Sequence, residues 1–385
     1  MRIGIDAREL CGRATGVGRY LAGLLYEWAA GGRACAHEFV LYAPGHIDLR
    51  LDARKFRTRS IAGRPGTWWE QVTVPRAAAR DQLDVWFAPA YTAPLWLSIP
   101  IVATIHDLSF VAHPEWFRIR EGARRRWMVR RTASAAAAVI TISQFSRREL
   151  IERLGVDGRR IYVVPPGVGT GDVGTWGLRR PGDPARRRSP HVPQSPGPPS
   201  VLYVGSIFNR RHVVDLIRAL APIARARKDV SLDLVGDNRS YPRQDLRAAI
   251  DAEGLTDRVR WHEYVSDQQL EDLYAAARAF AFLSEYEGLG LTPLEALAAG
   301  VPPVLLDTPV ARESCGDAAL YVPVDDLPAI TRALESLLFD ERQRAALLAA
   351  APAELAKYNW SRAAHDTIAV LEKAAASRSG STPGR

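Results

Sequence analysis

The stretch Ala279-Phe280-Ala281-Phe282-Leu283-Ser284-Glu285-Tyr286-Glu287-Gly288-Leu289-Gly290-Leu291-Thr292-Pro293-Leu294-Glu295 decides how this sequence folds. Its opening residues, Ala279 to Leu283, are wholly apolar, as in a strand buried on both faces of a parallel sheet. A turn with two glycines follows, and Pro293 to Ala299 then reads as a helix. Thr292 is a good N-cap, Pro293 suits the first helical position, and Gly300 with Pro302 ends the element. Thr292-x-x-Glu295 is also a capping box by spacing. Strand, glycine loop and helix in this order are the repeating unit of a doubly wound α/β domain.

The same alternation runs outward in both directions. Strands are expected at Val201 to Val204, Leu232 to Val235, Val259 to Trp261, Pro303 to Leu306 and Leu320 to Val322 around the opening stretch. Earlier in the chain they are expected at Arg2 to Ile5, His37 to Tyr42, Asp84 to Ala88, Ile101 to Ile105, Ala137 to Ile142 and Ile161 to Val164. Between the two series, Gly167 to Ser200 is rich in Gly, Pro and Arg and has no apolar period, which reads as a linker. Helices are expected over Leu327 to Phe339, Arg342 to Ala356 and after Trp360. The resulting division is a first Rossmann-like domain over 1–167, a linker over 168–199, a second such domain over 200–358, a C-terminal helix over 359–376 and a disordered tail over 377–385.

Composition agrees with this division. At 385 residues the chain is too long for one core at roughly 100–200 residues per domain, and 47% hydrophobic with 24% charged residues excludes a disordered or fibrous chain. No run approaches the roughly 18 apolar residues of a membrane span. Met1 to Cys11 lacks the apolar core of a secretory signal, so a cytoplasmic protein is expected. Cys11, Cys35 and Cys315 are far apart, which points to neither a disulfide framework nor a zinc site. The formal charge of +8 raises a nucleic-acid reading. Its arginines, however, cluster in the linker and on a basic, aromatic helix containing Arg118, Arg120, Arg124, Arg125, Arg126, Arg130 and Arg131, near Trp116, Phe117, Trp127 and Met128. That helix suits an anionic membrane surface over 116–131, or is a solvated face.

Open parallel sheets bind ligands beyond the carboxyl ends of their strands. Residues there include His106, Asp107, Gly205 to Arg211 and Ser284 to Glu295, a set rich in Gly, Arg and carboxylates that suits a phosphorylated, hydroxyl-rich ligand. Gly288 and Gly290 let backbone approach it, and Leu291 and Thr292 open a helix whose N-H groups attract an anion. Glu287 and Glu295 are natural acceptors for vicinal hydroxyls. Against this, Glu295 has the capping box as a purely structural use, and Arg210 and Arg211 could be a solvated loop pair.

The run Glu287 to Glu295 resembles the E-x7-E motif of retaining glycosyltransferases with the GT-B fold, specifically glycosyltransferase family 4. Tyr203-Val204-Gly205-Ser206 followed by Asn209-Arg210-Arg211-His212 is similar to another element of that family. So are Trp69-Glu70-Gln71, Phe87-Ala88-Pro89-Ala90-Tyr91, His106-Asp107-Leu108, Ile140 to Ser146 and Val163 to Gly167. The resemblance implies two Rossmann-like doubly wound parallel-sheet domains facing across a cleft, with the acceptor on the first, the nucleotide-sugar on the second and the last helix returning to the first. Glu287 would bind a donor-sugar hydroxyl, with backbone around Gly288, Leu289 and Gly290 beside it. Glu295 would hold the ribose, Leu291 and Thr292 the diphosphate, and Gly205 and Ser206 line the site. Arg210 and Arg211 would neutralise the leaving nucleotide; Arg211 stands where the family usually has Lys. Replacing Glu287 by Ala is expected to abolish transfer with little loss of folding.

Gly12 to Gly18 is not a dinucleotide fingerprint, and the resemblance puts Gly16 and Gly18 near the donor diphosphate. It also puts His106 beside the transferred sugar; a histidine bonded only for structure is the alternative. Asp107 could orient the imidazole or act as a base. The family pattern needs no metal or other cofactor, and no D-x-D motif is present. The implied activity is transfer of a hexose, foremost mannose from GDP-mannose, onto a glycan or lipid-linked acceptor in cell-surface polysaccharide synthesis. A peripheral position on the inner face of the cytoplasmic membrane is an added option. A nucleotide-sugar epimerase on the same scaffold and a basic nucleic-acid-binding protein remain as other readings.

Overall fold

The computed structural model describes residues 1–12, 16–49, 51–63, 66–169 and 198–379. They form two compact units: one from Met1 to Gly167 and from Tyr358 on, the other ending at Lys357. The linker expected over 168–199 lies, from 170 to 197, outside the described residues.

The first unit carries β1 (Arg2–Asp6), β2 (Glu38–Ala43), β3 (Phe56–Ser60), β4 (Val85–Ala88), β5 (Ile101–Thr104), β6 (Ala138–Thr141) and β7 (Ile161–Val163) in one parallel sheet of order β3-β2-β1-β4-β5-β6-β7. The second carries β8 (Ser200–Val204), β9 (Ser231–Val235), β10 (Val259–His262), β11 (Ala279–Phe282), β12 (Pro303–Leu306) and β13 (Leu320–Val322) in the order β10-β9-β8-β11-β12-β13. All registered pairs are parallel. The central strands β4, β5, β6, β11 and β12 are buried at every residue, which is why their sequences are apolar throughout. β3 was not expected. Its sequence, Phe-Arg-Thr-Arg-Ser, buries only Phe56 on the sheet edge, so it carries no strand pattern of its own.

The chain order reverses between β1 and β4 in the first sheet and between β8 and β11 in the second. Loops leaving the carboxyl ends of two such strands diverge to opposite faces and open a crevice there. This topology puts Gly205–Arg211, after β8, beside Ser284–Thr292, after β11.

The helix Trp360–Ser379 belongs to the first unit. Trp28 Nε1 donates to Ala364 O at 3.0 Å, and Glu372 accepts from Arg33 Nε at 2.7 Å with its other oxygen 2.9 Å from His37 Nε2. The helix continues to Ser379, so 377–379, expected in a disordered tail, are helical; 380–385 lie outside the described residues.

Candidate active site

Two loops of the second unit meet at its switch point. After β8 the backbone turns through Gly205 at φ 148°, where a Cβ would come within 2.7 Å of Arg211 Nη1. Gly236, after β9, is closer still: a Cβ there would lie 2.0 Å from Gly205 O. Only glycine allows both close approaches. Arg211 then reaches the second loop, its Nε and Nη2 lying 2.9 and 2.7 Å from Glu287 Oε1 while Nη1 donates to Ser206 O at 2.8 Å. Ser284 Oγ donates to the same carboxylate oxygen at 2.8 Å. The Arg211 guanidinium lies 4.8 Å from the Phe282 ring centre, and that of Arg210 4.4 Å from Phe208. Glu285 N donates to Arg210 O at 3.0 Å, locking loop to loop. Burial works against the Arg211 charge, but the Glu287 carboxylate outweighs it and raises the guanidinium pKa.

The helix after β11 begins earlier than its sequence suggests. It spans Leu291–Ala298 with Gly290, at φ 85°, as N-cap, and no side chain caps it. Thr292 and Pro293 therefore lie inside the first turn, and the expected Thr292–Glu295 capping box does not form. The N-H groups of Leu291 and Thr292 sit at the positive end of the helix dipole, with no capping side chain on them. Glu295 is half-buried on this helix, while Leu289 is buried beneath the loop. Thus Gly205, Ser206, Arg210, Arg211 and Glu287–Glu295 all belong to one face of the second unit. Ser206 Oγ also donates to Asp237 Oδ1 at 2.7 Å, bringing in the loop after β9.

In the first unit, Gly16 and Gly18 open the helix Gly16–Ala30 after β1, so they sit in its first turn and not in a free loop; residues 13–15 lie outside the described residues. His106, after β5, is buried, and its Nε2 donates to Pro89 O at 2.7 Å. The ring packs edge-on to Tyr20 and Tyr91 at 4.9 and 5.4 Å between centroids. Burial depresses the His106 pKa, only partly countered by the Pro89 carbonyl and Asp107. The imidazole is therefore neutral at pH 7, oriented by Pro89 and not by Asp107. Asp107 instead accepts from Tyr91 OH at 2.6 Å and Ser109 N at 2.9 Å.

Sequence reasoning did not single out a second cluster here. Arg8 grips Asp6 through Nε at 3.0 and 2.9 Å and also pairs with Glu70, whose Oε1 accepts from Thr92 Oγ1 at 2.5 Å. Asp6 and Glu70 are 1% and 2% exposed, burial that only ion pairing sustains. An apolar strand ending in Asp, two residues before an Arg, is the local signal that could have pointed to it.

The basic helix spans Ile119–Ala135. Ile119 and Trp127 are exposed on it, whereas Met128, next to Trp127 in sequence, is in the core. Trp68 and Trp96 are also exposed, at 73% and 81%. Arg124 Nη1 donates to Thr67 Oγ1 at 3.2 Å, Leu95 N to Gln71 Oε1 at 2.9 Å, and Ala93 N to Thr132 Oγ1 at 3.2 Å. These bonds tie the segments bearing Trp68 and Trp96 to the helix. Among the described residues no helix is long and apolar enough to cross a membrane.

Comparison with known proteins agrees with this geometry. Residues 14–171 match the family described as Glycosyltransferase Family 4, and residues 186–353 that described as Glycosyl transferases group 1. The O-antigen chain mannosyltransferase B of Escherichia coli is 29% identical over 310 residues, 76% of this chain and 75% of that protein. A D-inositol 3-phosphate glycosyltransferase of Kineococcus radiotolerans is 30% identical over 309 residues, 74% of this chain and 69% of that one. Among solved structures, Anabaena HepE in complex with UDP and glucose aligns with a TM-score of 0.71 and 18% identity, covering 97% of this chain and 100% of that one.

Proposed function

Because the chain belongs to glycosyltransferase family 4, we propose that it is a retaining hexosyltransferase of polysaccharide synthesis that moves mannose from GDP-mannose onto a glycan or lipid-linked acceptor. The observation that carries the donor site is the Arg211–Glu287 pair at the β8/β11 switch point, beside an uncapped helix N-terminus and two glycines, Gly205 and Gly236, that let the loops pack closely. The likeness to a mannosyltransferase supports the choice of mannose.

In this reading Leu291 and Thr292 donate N-H groups to the diphosphate, Arg210 and Arg211 offset its charge, Glu287 accepts from a sugar hydroxyl and Glu295 from the ribose. The bond from the sugar C1 to the phosphate oxygen breaks as the acceptor oxygen bonds to C1 on the same face. The acceptor proton passes to the leaving phosphate, and the nucleoside diphosphate departs. The arginines supply the charge stabilisation, so the scheme requires no metal. On the first unit His106 is neutral and fixed by Pro89, and Asp107 positions Tyr91. Trp68, Trp96, Trp127 and Ile119, set among the arginines of the helix Ile119–Ala135, dock the first unit on an anionic membrane surface.

The test is the melting temperature with GDP, UDP, ADP, dTDP and GDP-mannose at equal concentration, followed by product analysis. A ligand of the folded state raises the melt according to its affinity. GDP compounds should stand out, and Arg210→Ala should remove the effect. Equal or absent shifts for all five would overturn the donor assignment. Free mannose epimers formed without acceptor would point to the epimerase instead.

A further inference from the structure

Beside the donor loops, the second unit holds a group of side chains that the transferase reading does not use. His212 stands between the loop after β8 and the helix Val213–Ala226, Asp215 is in the first turn of that helix, and Asp325 lies in the turn after β13. One ligand atom from each falls within 4.8 Å of the others. Both ring nitrogens of the histidine face carboxylates. Its Nε2 is 2.8 Å from Glu285 Oε1, while Nδ1 faces Asp215 Oδ2 at 2.9 Å. Metal-ligating imidazoles almost always give their far N-H to a carboxylate, which fixes the tautomer and turns the other nitrogen's lone pair toward the ion. Arg218 Nη1 takes the opposite oxygen of Asp215, at 3.1 Å, so that carboxylate too is fixed in direction.

The charges agree with a divalent ion. Asp215, Asp325 and Glu285 are three carboxylates around this histidine, with Arg218 on Asp215, a set that a divalent cation can complement. Two of the ligand residues, His212 and Asp325, have positive φ, 46° and 61°, without being glycine. Both lie in the left-handed region, and a ligand atom of each lies close to one of Asp215.

We propose that His212, Asp215 and Asp325 bind a divalent cation of the Zn²⁺ class, with Glu285 as the carboxylate behind the histidine. One imidazole and two carboxylates are a ligand set for such an ion, with water completing the shell. The ion ties the start of the helix Val213–Ala226 to the turn after β13, and through Glu285 to the loop that carries Glu287. Its role is positional, since it holds Arg210 and Arg211, immediately before His212, in their bonded arrangement. On binding, two metal–oxygen bonds and one metal–nitrogen bond, through His212 Nδ1, form.

The experiment uses tag-free, EDTA-dialysed protein titrated with Co²⁺ and read by visible absorption, and with Zn²⁺ read by melting temperature. Saturable d–d bands at one ion per chain and a raised melt are expected. His212→Asn, which retains a residue tolerant of positive φ, and Asp325→Asn should each abolish the bands. Glu285→Gln should weaken binding roughly 10- to 100-fold, as loss of an outer carboxylate does. Absence of bands and of stabilisation in the wild type would leave only an imidazolium clamped by carboxylates and overturn the site; bands that persist in His212→Asn would place the ion elsewhere and overturn it equally. Nucleotide binding is measured in EDTA, so failure of this site and failure of the donor site are read separately.

Discussion

The Arg211–Glu287 pair gives the sharpest test, because its worth can be reasoned from the geometry. Both side chains are mostly covered, at 12% and 19% exposure, and two guanidinium nitrogens lie within 3 Å of one carboxylate oxygen. Fully exposed pairs contribute about 0.2–1 kcal/mol, whereas breaking a fully buried pair costs about 3–5. The residual exposure here, and the second partners each side chain retains at Ser206 and Ser284, place the coupling between these limits, at about 1.5–3 kcal/mol. The perturbation is a double-mutant cycle of Arg211→Met, Glu287→Gln and both, followed by calorimetry that resolves the two units. In a domain of roughly 160 residues, about 2 kcal/mol lowers the melt of the second unit by about 4–8 °C. Each single variant should lose more than the double variant implies by addition. If the two effects add to within about 0.5 kcal/mol, the pair is not a coupled element and the reasoning fails. The same numbers revise the expectation that Glu287→Ala spares the fold: removing it strands a largely buried guanidinium.

Gly236→Ala should destabilise the second unit by about 3 kcal/mol or more, because its Cβ would sit 2.0 Å from a backbone oxygen, whereas Gly300→Ala, with positive φ but nothing within 4 Å, should lose only about 1 kcal/mol. Urea midpoints of the two variants decide this, and equal losses would refute the close approach. His106 has a folded pKa below its free value of 6.5, so its contribution to the first unit is fully present above pH 6.5 and lost as pH falls through the folded value. Urea midpoints from pH 8 down to 5 should therefore drop more steeply for the wild type than for His106→Asn, and parallel curves would show that the ring is not buried neutral. Sedimentation with anionic vesicles should carry the wild type down and leave a Trp68, Trp96, Trp127→Ser triple variant largely in solution. A wild type that stays wholly in the supernatant removes the membrane surface from the account.

How much of this was legible in the sequence depends on the range of the interaction. The central strands, buried on both faces, declare themselves as apolar runs, and Pro303 to Leu306 and Leu327 to Phe339 coincide with their elements end to end. The edge strand β3 buries one residue and so looks like a loop. The start of the helix after β11 was misplaced because Thr and Pro are strong N-terminal residues, yet the left-handed Gly290 lets the chain begin the helix at Leu291. Arg8–Asp6 is close in sequence, but Glu70 arrives from 62 positions away, a pairing that depends on the packing of the segment Trp69–Thr73. Glu287 could be singled out by motif; its pairing with Arg211, 76 residues distant, could not.

The two units share a topology, so their division of labour has to come from charge at the strand ends. Beyond β8 and β11, Arg211 pairs with Glu287, Arg210 adds a second guanidinium, and an uncapped helix N-terminus adds further positive potential. Beyond β1, β4 and β5 the balance is reversed: Asp6, Glu70 and Asp107 stand against Arg8, and His106 adds no charge because burial keeps it neutral. A diphosphate brought to the first set would meet surplus carboxylates, while at the second it meets arginines and backbone N-H groups. Coulomb interactions in such partly buried sites are worth several kcal/mol per close pair even at an effective dielectric of about 20. This charge pattern is independent of any relative and favours the proposed assignment of the diphosphate to the second unit over one beside Asp6 and Glu70.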